Sequence, residues 1–175
     1  MGTTLLVTGA PGVGKTTLIR AIVAALALRC GGFVTEEIRE EGQRVGFRVR
    51  SLDGGEAVLA HVRGVCGPRV GRFQVDVAGF ERVGVGALEA ATREADLIVV
   101  DEIGKMELCS PRFVTALEAA LDAPKPLLGT VLQAPHPWID ALKQRPDVEL
   151  YRLSERNRTD LQDALLARLG AEGLQ

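Results

Sequence analysis

Apolar and polar positions alternate along the chain in an order that strands and helices take by turns. "TTLLVT" (3–8) is short, apolar and β-prone, as a strand buried on both faces must be. A glycine-rich loop follows, then a segment in which Leu18, Ile19, Ile22, Val23 and Leu26 fall on one stripe of a helix. Gly31 and Gly32 are expected to stop that helix. "FVTEEI" (33–38) reads as the next strand, about 79–94 as a helix, and the apolar run "DLIVVDE" (96–102) as a strand. Ser110 suits an N-cap and Pro111 the first position of a further helix. "PLLGTVL" (126–132) is another strand, followed by a helix near 136–145 and the strand "VELYRL" (148–153). The last helix, about 157–169, carries Leu161, Leu165, Leu166 and Leu169 on one face.

The segment 39–78 breaks this rhythm. "RVGFRVRSL", "AVLAHV" and "RFQVDV" are short alternating pieces between glycine-rich turns, which predicts a hairpin or small antiparallel extension. Strands alternating with helices elsewhere imply an α/β protein with a doubly wound, mostly parallel sheet. With no repeat, linker or low-complexity stretch, one domain over 1–175 is expected.

Composition narrows the setting. The formal charge of −2 gives no overall basic surface for nucleic acid. Arginines 44, 48, 50, 63, 69 and 72 cluster in the extension, but Glu and Asp are interspersed, as in a solvated face. Only four residues are Lys (15, 105, 125 and 143), an Arg bias that fits either a GC-rich genome or a hot habitat. Cys30, Cys66 and Cys109 form no C-x-x-C pair and read as reduced thiols of a cytoplasmic protein. The N-terminus shows no leader pattern, and no apolar run is long enough for a bilayer, so no membrane association is expected.

The candidate chemistry begins at Gly9-Ala10-Pro11-Gly12-Val13-Gly14-Lys15-Thr16, which satisfies G-x-x-x-x-G-K-[ST]. Glycines at 9, 12 and 14 let backbone N–H groups turn inward onto phosphate oxygens, and the following helix aims its positive end at them. Lys15 can bridge β- and γ-phosphates, the Thr16 hydroxyl can ligate Mg²⁺, and Thr17 can reach the α-phosphate. "LIVVDE" delivers Asp101 to the end of a buried strand, where it can hold the Mg²⁺ through water. Glu102 can then orient and deprotonate a water in line with the γ-phosphate. Thr130 sits where a γ-phosphate sensor would lie, and Lys105 could stabilise charge in the transition state. Glu36 and Glu37 either face the site or form a solvated rim. His61 and His136 lack spaced partners for a metal, and Trp138 and Tyr151 read as packing residues.

"GAPGVGKTTL", "GFVTEE", "VGRFQVDVAGFE" and above all "DEIGKMEL" (101–108) resemble the nucleoside-triphosphatase family that includes cancer-related nucleoside-triphosphatase and its thermophile counterparts. The likeness covers nearly the whole chain. It implies a RecA-like P-loop NTPase fold and slow, Mg²⁺-dependent hydrolysis of ATP, GTP, CTP and UTP to diphosphates. It also implies that Asp101, Glu102, Ile103, Gly104 and Lys105 lie at the nucleotide and that Asn157 and Arg158 lie near the base. The sequence departs from the family in carrying Arg156 where the family has Glu, and an arginine there could stack on the base instead.

Two rivals share the P-loop. A small-molecule or nucleoside kinase needs an acceptor pocket and usually a mobile lid, for which the stretch between "DEIGK" and "LLGTV" is short. A nucleotide-switched binding module could use 39–78 as its contact surface. A regulatory GTPase would need an N-K-x-D element, which the sequence lacks before its last helices.

Overall fold

In the computed structural model, which describes residues 2–172, the central sheet is built on strand β1 (Thr4–Thr8), every residue of which is buried. The phosphate loop leads from it into α1 (Lys15–Ala25), and β2 (Cys30–Glu40) follows. Next come β3 (Gln43–Ser51), β4 (Glu56–His61), β5 (Arg69–Val70) and β6 (Phe73–Val75). The helical stretch read at 79–94 is α2 (Val77–Phe80), a π-helical turn (Glu81–Val85) and α3 (Gly86–Glu94) in unbroken succession. The chain continues through β7 (Leu97–Ile103), a 3₁₀ turn (Glu107–Cys109), α4 (Pro111–Asp122) and β8 (Leu127–Val131). It closes with α5 (Pro137–Lys143), β9 (Val148–Arg152) and α6 (Arg158–Glu172). Ser110 caps α4 as its sequence position suggests, accepting a hydrogen bond from the Phe113 N–H at 3.0 Å, with Pro111 opening the helix.

All nine strands form one sheet in the order β5-β6-β4-β3-β2-β7-β8-β1-β9. The run β2-β7-β8-β1-β9 is parallel, and β8 lies between the phosphate-loop strand and β7. That strand order is the RecA-like arrangement of a P-loop fold. Period-2 alternation sorts each central strand between two cores. Leu5, Val7, Leu97, Val99 and Leu128 face Leu18, Ile19 and Ile22 of α1 and Leu161, Leu165 and Leu169 of α6. Leu6, Ile98, Val100 and Leu127 face the other way, onto Leu88, Phe113, Leu117 and Ile139 of α3, α4 and α5.

The antiparallel extension is present, and it starts inside β2. That strand pairs in parallel with β7 over Cys30–Phe33, then runs on as the antiparallel partner of β3 from Phe33 to Glu40. Phe33 sits at the joint, buried edge-on against Phe80 and Phe113 at centroid distances of 5.5 and 6.1 Å. The aromatic trio anchors the joint to α2 and α4.

Gly31 and Gly32 do not stop α1. The helix ends at Ala25, where the Leu26 N–H closes the last turn on the Ile22 carbonyl, and both glycines lie within β2. Gly32 has φ +116°, and a Cβ there would be driven into the Val99 carbonyl of β7. Close backbone approach between parallel strands is what this glycine serves. Gly32→Ala should therefore cost about 2–4 kcal/mol in denaturant unfolding. Gly42→Ala, at φ +79° with open space around it, should cost only about 1 kcal/mol.

Candidate active site

The carboxylate of Asp101 is the meeting point of the site. Strand β7 carries it, 1% exposed, to the C-terminal edge of the parallel sheet. The Thr130 hydroxyl on β8 donates to its Oδ1 at 2.5 Å, the Thr16 hydroxyl on α1 to its Oδ2 at 2.7 Å, and the Thr35 N–H on β2 reaches Oδ2 at 3.5 Å. Burial pushes the Asp101 carboxyl above its ordinary range, and the bonds from Thr130, Thr16 and Thr35, with the charge of Lys15, pull the other way. The Asp101–Glu102 peptide is cis.

The phosphate loop spans Gly9 to Thr16. Gly12 (φ +77°) and Gly14 (φ +99°) hold left-handed conformations that an L side chain resists. Lys15 donates to the Gly9 carbonyl at 3.0 Å and the Ala10 carbonyl at 3.4 Å. Gly9, Pro11, Gly12, Gly14, Lys15, Thr16 and Thr17 all face a cleft of about 1310 Å³, as do Glu102, Gly104 and Lys105. A strand end, a glycine-rich loop and a helix N-terminus together can hold a polyphosphate.

Glu102 faces this cleft half-buried. Burial raises its carboxyl, Lys15 lowers it, and Asp101 raises it again. Lys105 is exposed beside it, with no ion pair among the described residues. Ile103, read as a nucleotide residue through the resemblance, turns away: its side chain is wholly buried in the core and its carbonyl accepts the Leu132 N–H.

The pair read as lying near the base is hydrogen-bonded to backbone at the end of β9 and at the phosphate loop. Asn157 closes the turn after β9, accepting the Ser154 N–H at 2.8 Å and donating to the Arg152 carbonyl at 2.8 Å. Arg158 reaches across to the phosphate loop, donating to the Val13 carbonyl at 2.6 Å and the Gly14 carbonyl at 3.3 Å. It thereby satisfies two backbone carbonyls of that loop. Arg156 is exposed in the same turn. Among the extension's arginines, Arg44 pairs with Glu37, Arg50 with Glu36 and Glu56, and Arg63 with Glu40, as a solvated face requires.

The sequence reading missed Glu107, within "DEIGKMEL". It is 5% exposed and lies across the cleft floor from Glu102. A Cβ on Gly104 would stand 2.9 Å from Glu102 Oε1 and 3.0 Å from Glu107 Oε2, so only glycine lets the two carboxyl groups flank that position. Burial pushes the Glu107 carboxyl well above the ordinary range, and the neighbouring Glu102 charge adds to it, against N–H bonds from Glu107 and Gly104. The signal available in the sequence was an acid five places after Glu102 with a glycine between.

Hard oxygen donors around one buried carboxylate fit Mg²⁺: Thr16 and Asp101 are the residues that would hold it.

Phosphate loop, buried aspartate on the strand beyond the intervening one, and a threonine on that intervening strand define a P-loop NTPase. A model of the NTPase family matches residues 4–166, and the chain belongs to that family. It is 43% identical to nucleoside-triphosphatase THEP1 of Thermotoga sp. (strain RQ2), covering 93% of both chains. It is 45% identical to nucleoside-triphosphatase THEP1 of Thermofilum pendens, covering 93% of this chain and 92% of the relative. The crystal structure of THEP1 from Aquifex aeolicus superposes with TM-score 0.88 at 34% identity, over 95% of this chain and 98% of that one. The solution structure of a human cancer-related nucleoside triphosphatase gives 0.79 at 33% identity, over 97% and 98%.

A raised carboxyl pKa means that the folded protein binds more protons than the unfolded chain, so stability falls as pH rises through the shifted value. Glu107→Gln keeps an acceptor oxygen and cannot ionise. Its melting temperature should exceed the parent's at pH 8, with the difference shrinking toward pH 4 in scanning calorimetry.

Proposed function

We propose that this protein hydrolyses nucleoside triphosphates to diphosphate and inorganic phosphate, with water as the acceptor of the γ-phosphoryl group. The observation that supports the reading best is Glu102: a carboxylate next to the buried Asp101, facing the same cleft as Lys15 and Thr16. The names of its relatives agree with it.

The loop N–H groups and Lys15 bind the β- and γ-phosphates, and Thr17 takes the α-phosphate. Glu102 orients a water oxygen toward the γ-phosphorus and takes its proton as the new P–O bond forms. The bond from phosphorus to the β,γ-bridging oxygen breaks, and its electrons leave with the diphosphate. Lys105 lies beside the transferring group and stabilises the charge spread over its oxygens. Mg²⁺, when bound at Thr16 and Asp101, supplies further charge neutralisation and alignment of the phosphates.

Two features support broad base tolerance and slow turnover. The Asn157 amide is engaged on both ends within its turn, so it offers little for reading a base. Each arginine facing the cleft is paired with an acid, Arg20 with Glu36 and Arg39 and Arg44 with Glu37. Among the described residues lining the cleft, no unpaired guanidinium is in place as an arginine finger, a contribution worth ~10³–10⁵-fold elsewhere. ATP, GTP, CTP and UTP are all substrates on this reading. The free thiols of Cys30, Cys66 and Cys109 support a cytoplasmic setting, and no described helix is long and apolar enough to cross a membrane.

Phosphate release without added acceptor tests the reading. Glu102→Gln should bind nucleotide as the parent does and lose about 10²–10⁴-fold in turnover; parental turnover would remove Glu102 from the water-activating role. Lys105→Ala should lower kcat more than it raises KM. Because burial raises the Glu102 carboxyl in the free protein and its ionised form takes the proton, kcat/KM should rise with pH, with a midpoint above the ordinary glutamate range.

A further inference from the structure

Two cations grip the empty phosphate loop by its carbonyls, one from within the cleft and one from outside it. Lys15 lines the cleft and bonds the Gly9 and Ala10 carbonyls, where an incoming phosphate can draw it away. Arg158 bonds the Val13 and Gly14 carbonyls at 2.6 and 3.3 Å and does not line the cleft, although Gly14 does. A ligand in the cleft therefore meets the loop and not this guanidinium.

The consequence follows from the planarity of the peptide. In a trans peptide the N–H points opposite to the C=O. Asp101–Glu102 is the one cis bond among the described residues, so the Val13–Gly14 and Gly14–Lys15 peptides are trans. Holding the Val13 carbonyl on Arg158 turns the Gly14 N–H away from the guanidinium, and holding the Gly14 carbonyl does the same for the Lys15 N–H. Neither N–H has a hydrogen-bond partner among the described residues, and both residues line the cleft. A guanidinium on each carbonyl also polarises that peptide, which makes its N–H a stronger donor to an anion.

Arg158 is itself held in place. Asn157 ties the turn before it to the Ser154 N–H and the Arg152 carbonyl. That turn rests against the start of the loop, where the Leu153 N–H donates to the Thr8 carbonyl at 2.8 Å and a Cβ on Gly9 would stand 2.8 Å from the Leu153 carbonyl. A Cβ on Gly14 would collide with the guanidinium, so glycine is needed there for the arginine as well as for the turn. No acid forms an ion pair with Arg158 among the described residues, which leaves its charge to the loop.

We propose that Arg158 is a positioning residue, which presets the Gly14 and Lys15 N–H groups and so sets the affinity for the polyphosphate of any nucleotide, whatever its base. Donors already aimed at the ligand reduce the ordering cost of binding. The inference rests on the reading that the loop holds the phosphates, and not on which acceptor takes the γ-phosphoryl group.

Calorimetric titration of the full chain in Mg²⁺ tests it. The probes are imidodiphosphate, which has neither a base nor a hydrolysable bridge, and the β,γ-imido analogues of ATP and GTP. Arg158→Ala should weaken all three by one common factor of about tenfold or more. Arg158→Lys keeps the charge without the fork and should recover part of the loss. Should Arg158→Ala not fold, Arg158→Lys carries the same comparison with a smaller common factor. In the ligand-free protein, the ¹⁵N resonances of Gly14 and Lys15 should move upfield in the variant as their peptides lose polarisation. Weakened nucleotide analogues with unchanged imidodiphosphate would put Arg158 on the base or ribose and overturn the proposal. Unchanged affinity for all three probes, or unmoved Gly14 and Lys15 resonances, would overturn it equally. Failure of the parent to bind any of the probes would instead overturn the phosphate-loop reading beneath it.

Discussion

The site depends on one buried carboxylate that three separate elements must reach. Asp101 receives the hydroxyls of Thr16 and Thr130 and the N–H of Thr35, from α1, β8 and β2. An ionised carboxylate at 1% exposure is costly unless its lone pairs are filled, so each of these bonds is a condition on the fold around it. β8 has to lie between β1 and β7 for Thr130 to be in place, and the first turn of α1 has to point Thr16 at β7. The strand order and the phosphate loop are thus held to a common geometry by a single side chain.

A second constraint is the close approach of backbones. Gly32 lets β2 sit against β7, Gly104 lets Glu102 and Glu107 flank one position, and Gly12 and Gly14 shape the loop itself. Arg158 then braces that loop from α6 by capping the Val13 and Gly14 carbonyls. The cleft is lined by residues between Gly9 and Pro135, and the antiparallel extension supplies part of its wall.

Much of this was legible in the sequence because it is local. The phosphate loop is a contiguous motif, the strand delivering Asp101 is a continuous apolar run, and Thr130 follows from the next strand. What was not legible depends on contacts between distant segments. The pattern around Gly31 and Gly32 looks like a helix stop, and only the parallel neighbour β7 shows otherwise. Glu107 has no periodicity to mark it, since it comes back toward Glu102 through a short 3₁₀ turn. Arg158 acts across 144 residues on a backbone carbonyl, which leaves no trace in local composition.

The account's central claim is that water takes the γ-phosphoryl group at Glu102. A single turnover with excess enzyme over ATP in ¹⁸O-labelled water, with no acceptor present, tests it by mass spectrometry of both products. One ¹⁸O atom in inorganic phosphate and none in the diphosphate is the predicted result. Label in the diphosphate, or no phosphate formed during the turnover, would contradict it.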